Sequence, residues 1–342
     1  MFLIVNNLSA SLTSDIFFSI KNLPFLNANP NKIMKNCLFF VFLLFISNCH
    51  NGSNRIPLSK TIENPKSDNF SFAIISDLNG GEREGVFENA VDKINRFSPV
   101  FTISVGDLID GGIKDSLLIS NQWETFNKRL EALESPFFYV GGNHDLSNSQ
   151  MVKAWGNIHG PSYYHFIYKN VLFLILNSED FDEERFEEIS KARELALEIL
   201  SKKIEGNYEE TEYYKMKERV FGDISIEQQL YFEDVIEMNQ DVRWTFLFMH
   251  KPIWKNQENE KFNSILKKLG SRQFSVFSGH EHSFSHQMIN GKPYTILSTT
   301  GGSQNIEDQK SFDHFTWVYM KEKPRVSHLL LSGVLNESGE SN

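Results

Sequence analysis

Six side chains that can hold a metal ion stand just after five short apolar runs. Asp77 follows FSFAIIS (70–76), and Asp107 follows VFTISV (100–105) across Gly106. Asn143 follows PFFYV (136–140) across two glycines, and His250 follows WTFLFM (244–249). His280 and His282 follow FSVFS (274–278) across Gly279. Carboxylates and imidazoles together suit Mn, Fe or Zn. Two such ions about 3.5–4 Å apart can clamp a phosphate and lower the pKa of water between them. Each residue has a structural reading when taken alone: an aspartate can cap a helix, a glycine can serve a turn, and His250 can be a core histidine. Their recurrence after successive apolar runs points instead to one site, and the His280-Glu281-His282 triplet is the hardest to explain as packing.

The elements that must position these groups are readable from the pattern. The apolar runs, with VLFLIL (171–176), are short and rich in β-branched and aromatic residues, which is a strand signal. Helical spacing joins Val86, Phe87, Ala90, Val91 and Ile94, then Trp123, Phe126, Leu130 and Leu133. The same spacing predicts a third helix through Ile226, Leu230, Tyr231, Val235 and Met238. Strand–helix–strand order predicts an α/β core, with the ligand crevice at the carboxyl ends of the strands. Runs near 293–298, 314–320 and 325–331 lack clear helices between them and suggest a mixed or second sheet. Residues 179–216, rich in Glu and Lys, read as one long inserted helix, more as surface decoration than as a lid.

The chain has 342 residues, 40% of them hydrophobic and 23% charged, a mix that fits a soluble globule. The formal charge of -10 argues against nucleic acid as a partner. The two cysteines, Cys37 and Cys49, both lie near the front. Between them residues 38–46 read LFFVFLLFI, preceded by Lys32 and Lys35, which has the length and flank of a signal-peptide core. Met34 is a natural start, so residues 1–33 read as an over-called start and 34–48 as the signal peptide. Ile46-Ser47-Asn48-Cys49 resembles a bacterial lipobox of the spirochaete type, with Cys49 lipidated after cleavage. The expectation is an exported protein, lipid-anchored in the bacterial cell envelope. Residues 49–69 then form the lipidated cysteine and a flexible polar tether, 70–336 the folded domain and 337–342 a disordered tail.

With these residues in place, the chain resembles the calcineurin-like metallophosphoesterases over roughly residues 70–332. Ser76-Asp77-Leu78-Asn79, Gly106-Asp107-Leu108-Ile109-Asp110, Gly142-Asn143-His144-Asp145, Met249-His250 and Gly279-His280-Glu281-His282 match the five ordered motifs. WTFLFMHKPIW (244–254) is similar to the purple-acid-phosphatase-like branch, although that branch's iron-binding tyrosine has no counterpart, since Ile109 and Asp110 follow Leu108.

The resemblance implies a four-layer α/β/β/α sandwich with two mixed sheets flanked by helices. It implies that Asp77 and His282 bind a first metal, that Asp107 bridges, and that Asn143, His250 and His280 bind a second. The ions are Mn, Fe or Zn. The activity it implies is hydrolysis of a phosphate monoester or diester by a bridging hydroxide. The resemblance also implies that His144 stands near the leaving group as an acid or transition-state donor, oriented by Asp145. Asn79 replaces the usual histidine and offers only an amide oxygen, so the first metal is expected to bind weakly or to complete its shell with water. The substrate expected is a phosphorylated small molecule or a nucleotide. The rival reading is a non-catalytic envelope lipoprotein that binds a partner on this scaffold. Arg83 is open between a phosphate contact and a solvated surface role.

Overall fold

The computed structural model describes residues 56–63 and 66–332. The expected leader, Cys49 and the tail at 337–342 lie outside the described residues. Two sheets form the centre. The first has the order β11-β10-β1-β2-β3, from β1 (Phe70–Ile75), β2 (Phe101–Ser104), β3 (Phe137–Phe138), β10 (His314–Met320) and β11 (Pro324–Leu330). The second has the order β4-β5-β6-β7-β9-β8, from β4 (Tyr164–Tyr168), β5 (Val171–Ile175), β6 (Trp244–Phe248), β7 (Phe274–Ser278), β8 (Ser285–Ile289) and β9 (Lys292–Ile296). β1, β2 and β3 run parallel, as do β5, β6, β7 and β9, while β10, β11, β4 and β8 close the edges antiparallel. The α/β/β/α sandwich with two mixed sheets is therefore what the chain adopts.

Alternation explains the layering. Phe70, Phe72 and Ile74 of β1 face the second sheet, and Ala73 and Ile75 face the helices. Between the sheets, Phe138, Phe166 and Phe173 stack with ring centroids 3.9 and 4.5 Å apart. Burial of each such ring is worth roughly 1.5–3 kcal/mol, so this layer fixes how the two sheets sit against each other. Outside the first sheet lie α1 (Val86–Phe97), α2 (Ser116–Leu130) and α3 (Ser149–Ile158). Outside the second lie α7 (Ile226–Met238) and α8 (Glu260–Leu269). The α1 and α2 faces match the expected spacing: Phe87, Ala90, Val91 and Ile94 are buried, as are Trp123, Phe126 and Leu130. Asp115 caps α2 by accepting the N–H groups of Leu117 and Leu118, and Asn148 caps α3 through Met151.

Two segments differ from expectation. The inserted region is not one helix. It holds α4 (Glu183–Leu200), a 3-10 turn at Tyr208–Glu210, α5 (Glu212–Lys215) and α6 (Lys217–Phe221). Gly206 and the Asn207 and Thr211 caps interrupt it. Residues 56–63, which composition assigns to a tether, run along β3. Leu58 bridges to Phe138, Ser59 N–H donates to the Phe137 carbonyl at 2.9 Å, and Tyr139 N–H donates to the Pro57 carbonyl at 3.1 Å. Ile56, Leu58 and Ile62 pack on the inter-sheet core. The edge of β3 offered unpaired backbone groups, and this strip satisfies them.

Candidate dinuclear metal centre

The parallel strands of both sheets end at one crevice. β1 delivers Asp77, β2 Asp107, β3 Asn143 and His144, β6 His250, and β7 His280 and His282. Two clusters result: Asp107 with His250 and His280, and Asp77 with Asp107 and His282. In each, the candidate ligand atoms lie within 4.8 Å of one another. Asp107 belongs to both, so its carboxylate is the shared group. His250 Nε2 stands 3.1 Å from Asp107 Oδ2 and 3.2 Å from Asn143 Oδ1. His282 Nε2 stands 3.3 Å from Asp77 Oδ1.

Backbone carbonyls fix every imidazole. His250 Nδ1 lies 2.9 Å from the Val105 carbonyl, and His282 Nδ1 lies 2.6 Å from that of Ser303. His280 reverses the pattern, its Nε2 lying 2.8 Å from the Arg219 carbonyl. Donation of one ring N–H to a carbonyl leaves the other nitrogen as a lone pair for a metal. The lone pairs of His250 and His282 then face the shared carboxylate and Asp77. Two acidic groups, an amide oxygen and three imidazoles so oriented form a donor set that fits two borderline-hard ions.

The backbone is bent to this purpose. Asp77, Asp107, His280 and His282 all take left-handed φ values, of 40°, 57°, 74° and 52°. Non-glycine residues rarely adopt this region, and such strain collects at functional sites. The motif glycines are steric necessities: a Cβ on Gly142 would overlap Asp107 Oδ1, and one on Gly279 would overlap Asp77 Oδ2.

Asn79 is buried in the loop after β1, where its N–H and that of Leu78 donate to the Asp107 carbonyl at 3.1 and 3.0 Å. It also lines a cavity of about 320 Å³ with Leu108, Asp110, Gln122 and Arg129. His144 N–H donates to Asp107 Oδ1 at 2.9 Å, and its Nδ1 lies 2.6 Å from the Asp110 carbonyl. That carbonyl, not Asp145, is the hydrogen-bond partner of the ring. Asp145 instead accepts the N–H groups of Leu108, Ile109 and Gly142 at 2.9, 3.1 and 2.8 Å. It joins the second and third motif loops and acts on the ring only through them. Arg83 is a bidentate partner of Asp313 and donates to the Gly302 carbonyl, so it is bound within the fold.

The charges are strongly perturbed before any metal binds. Burial lowers the affinity of His250 for a proton, but the Asp107 carboxylate outweighs it and pushes the imidazole up to about 9. His282 also reaches about 9, since Asp77 overcomes its burial. Burial, with the Asp107 charge adding to it, raises Asp145 to about 7. Burial holds His144 below the usual imidazole range, against the pull of Asp107.

Sequence reasoning missed the inserted region's part in this site. The Arg219 carbonyl, just inside α6, holds His280. Arg193 of α4 donates to the Asn143 carbonyl. Lys251, next to His250, is paired with Glu179 at 2.8 Å and donates to the Glu218 carbonyl at 2.9 Å. Backbone carbonyls carry no side-chain identity, so a sequence cannot announce them. Arg193 did leave a signal, because Ile189, Arg193 and Ala196 form the buried stripe of α4, while Leu195 and Leu200 are exposed.

A fold of two mixed sheets with paired Asp/His clusters at the strand ends defines a dimetal phosphoesterase scaffold. The profile of the calcineurin-like phosphoesterases matches residues 70–284, and the chain belongs to that family. It is similar to the serine/threonine-protein phosphatase CPPED1 of Mus musculus, at 30% identity over 221 residues, covering 59% of this chain and 60% of that protein. The Homo sapiens CPPED1 is 32% identical over 102 residues, covering 28% of this chain and 32% of that protein. The chain thus spans 60% or less of the length of these curated relatives. Among solved structures, a dimetal phosphatase from Danio rerio shares the fold, with a TM-score of 0.52 at 17% identity, covering 79% of this chain and 99% of the other.

Proposed function

We propose that the protein hydrolyses phosphate esters of small molecules, monoesters or diesters, in a metal-dependent reaction at this centre. The observation that carries the reading is the pair of clusters sharing Asp107. When bound, two metal ions supply a water of lowered pKa and offset the charge that develops on the phosphoryl oxygens. Asp77, Asp107 and His282 would hold one ion, and Asp107, Asn143, His250 and His280 the other. Asn79 completes the first set through its amide oxygen or leaves that place to water. His144 Nε2, 4.0 Å from Asp107 Oδ2, would act on the leaving oxygen once it carries a proton, because its Nδ1–H is committed to the Asp110 carbonyl.

The test is turnover of alkyl and nitrophenyl phosphate mono- and diesters by the purified protein, stripped of metal and titrated with Mn, Zn and Fe. Saturable turnover is expected, and His250→Ala should abolish it. His144→Ala should slow alkyl esters about 10²–10³-fold and nitrophenyl esters far less, because the latter need no proton. Full activity without metal, or in His250→Ala, would refute the reading.

The same proposal extends to setting. The WTFLFMHKPIW segment supports placement near the purple-acid-phosphatase-like branch, and the 38–46 apolar core followed by Cys49 supports export and lipid anchoring in the cell envelope. The acidic charge balance favours small phosphorylated substrates over nucleic acid. Labelled fatty acid should enter the expressed protein and be lost in Cys49→Ser. Equal labelling of the variant would rule out the anchor.

A further inference from the structure

Helix α4 carries Arg193 into the interior, where the residue is 6% exposed. Its Nη1 donates to the carbonyl of Asn143, one residue before His144. No carboxylate of the described residues forms an ion pair with it, whereas Arg83 is paired with one carboxylate and Arg129 and Arg185 with two each. A guanidinium keeps its charge at any working pH. Burying one without a counter-charge is strongly unfavourable, which suits a site that receives an anion. Asp77 and Asp107 do not answer this need, because they face His282 and His250. Its single bond to Asn143 leaves most of the guanidinium N–H fork available, and that fork matches phosphate oxygens.

Position narrows the ligand. The Asn143 carbonyl that Arg193 holds belongs to a residue of the second metal cluster's donor set that directly precedes His144. Arg193 therefore borders the metal cluster on the side of His144. We propose that Arg193 is a substrate-contacting residue, whose guanidinium binds a non-reacting oxygen of the phosphoryl group undergoing transfer. The inserted region then completes the phosphate site rather than decorating the surface. The inference rests on the phosphoesterase reading and adds a residue to it.

The experiment measures binding of inorganic phosphate to the metal-loaded full chain by calorimetry, with metal content measured beside it, in the wild type, Arg193→Met and Arg193→Gln. Glutamine keeps a donor for the Asn143 carbonyl but removes the charge. Both variants should retain wild-type metal content and lose about 10–100-fold in phosphate affinity, the worth of a charged hydrogen bond. Wild-type phosphate affinity in Arg193→Gln would overturn the inference and leave Arg193 as a support for Asn143. Should Arg193→Met fail to fold, Arg193→Gln alone decides. A wild type that neither binds phosphate nor turns over any ester would instead remove the phosphoesterase reading itself, and the inference with it.

Discussion

At the scale of residues, the centre concentrates exceptions to the usual backbone rules. Four metal-type residues hold left-handed backbone, and two glycines leave room for carboxylate oxygens. His250 and His282 carry protons up to about pH 9 in the metal-free protein, on the same Nε2 atoms that face the carboxylates. A metal ion needs those lone pairs, so loading must expel the protons. The sign follows: below about pH 9 the apparent metal affinity should rise with pH, and above it the rise should flatten. Calorimetry at neutral pH in buffers of different ionisation enthalpy should report close to two protons released as both sites fill. Zero protons released would show that the imidazoles are already neutral. The motif residues were legible in sequence because side-chain type and order are their whole signature. Asp145 was misjudged because its partners are backbone N–H groups, which the sequence does not mark.

Elements position what residues supply. The strand runs before Asp77, Asp107, Asn143, His250 and the 280–282 triplet were all visible as β-branched and aromatic stretches, since burial on both faces makes parallel strands continuously apolar. Helices were less legible. α7 exists as expected, yet Ile226, Leu230 and Met238 lie outward, at 62%, 53% and 73% exposure. Its buried face includes Gln228, which donates to the Asn177 carbonyl and to Asp180. A satisfied amide replaced an apolar side chain, and hydropathy cannot register that substitution. The inserted region shows the same limit, because its small apolar cluster of Ile189, Ala196, Tyr213 and Met216 is interleaved with the polar contacts of Arg193 and Glu179. The Lys251–Glu179 pair, 1% and 5% exposed at its side chains, locks that region beside His250. Glu179→Ala would strand a buried ammonium and should cost about 3–5 kcal/mol in denaturant unfolding, whereas Glu179→Leu with Lys251→Met should recover most of the loss. A single-variant cost under about 1 kcal/mol would show that the pair carries little of the element's stability.

For the whole molecule, the two sheets matter because neither contains the centre alone. Asp77, Asp107 and Asn143 come from the first sheet, and His250, His280 and His282 from the second. The stacked phenylalanine layer sets the distance between the two groups of ligands, so the inter-sheet core is also what shapes the metal site. Strand order and sheet partition could not be read from the chain, since pairing is non-local and the 314–330 hairpin returns to β1 from far along the sequence. In the proposed centre the Asp107 carboxylate serves two ions. The most direct test of this role is the metal content per chain, measured by elemental analysis after loading, in the wild type and in Asp107→Ala, with ester turnover on the same samples. Two ions per chain and turnover are expected in the wild type, and loss of turnover together with marked loss of metal in the variant. An Asp107→Ala protein that kept both ions and full turnover would contradict it.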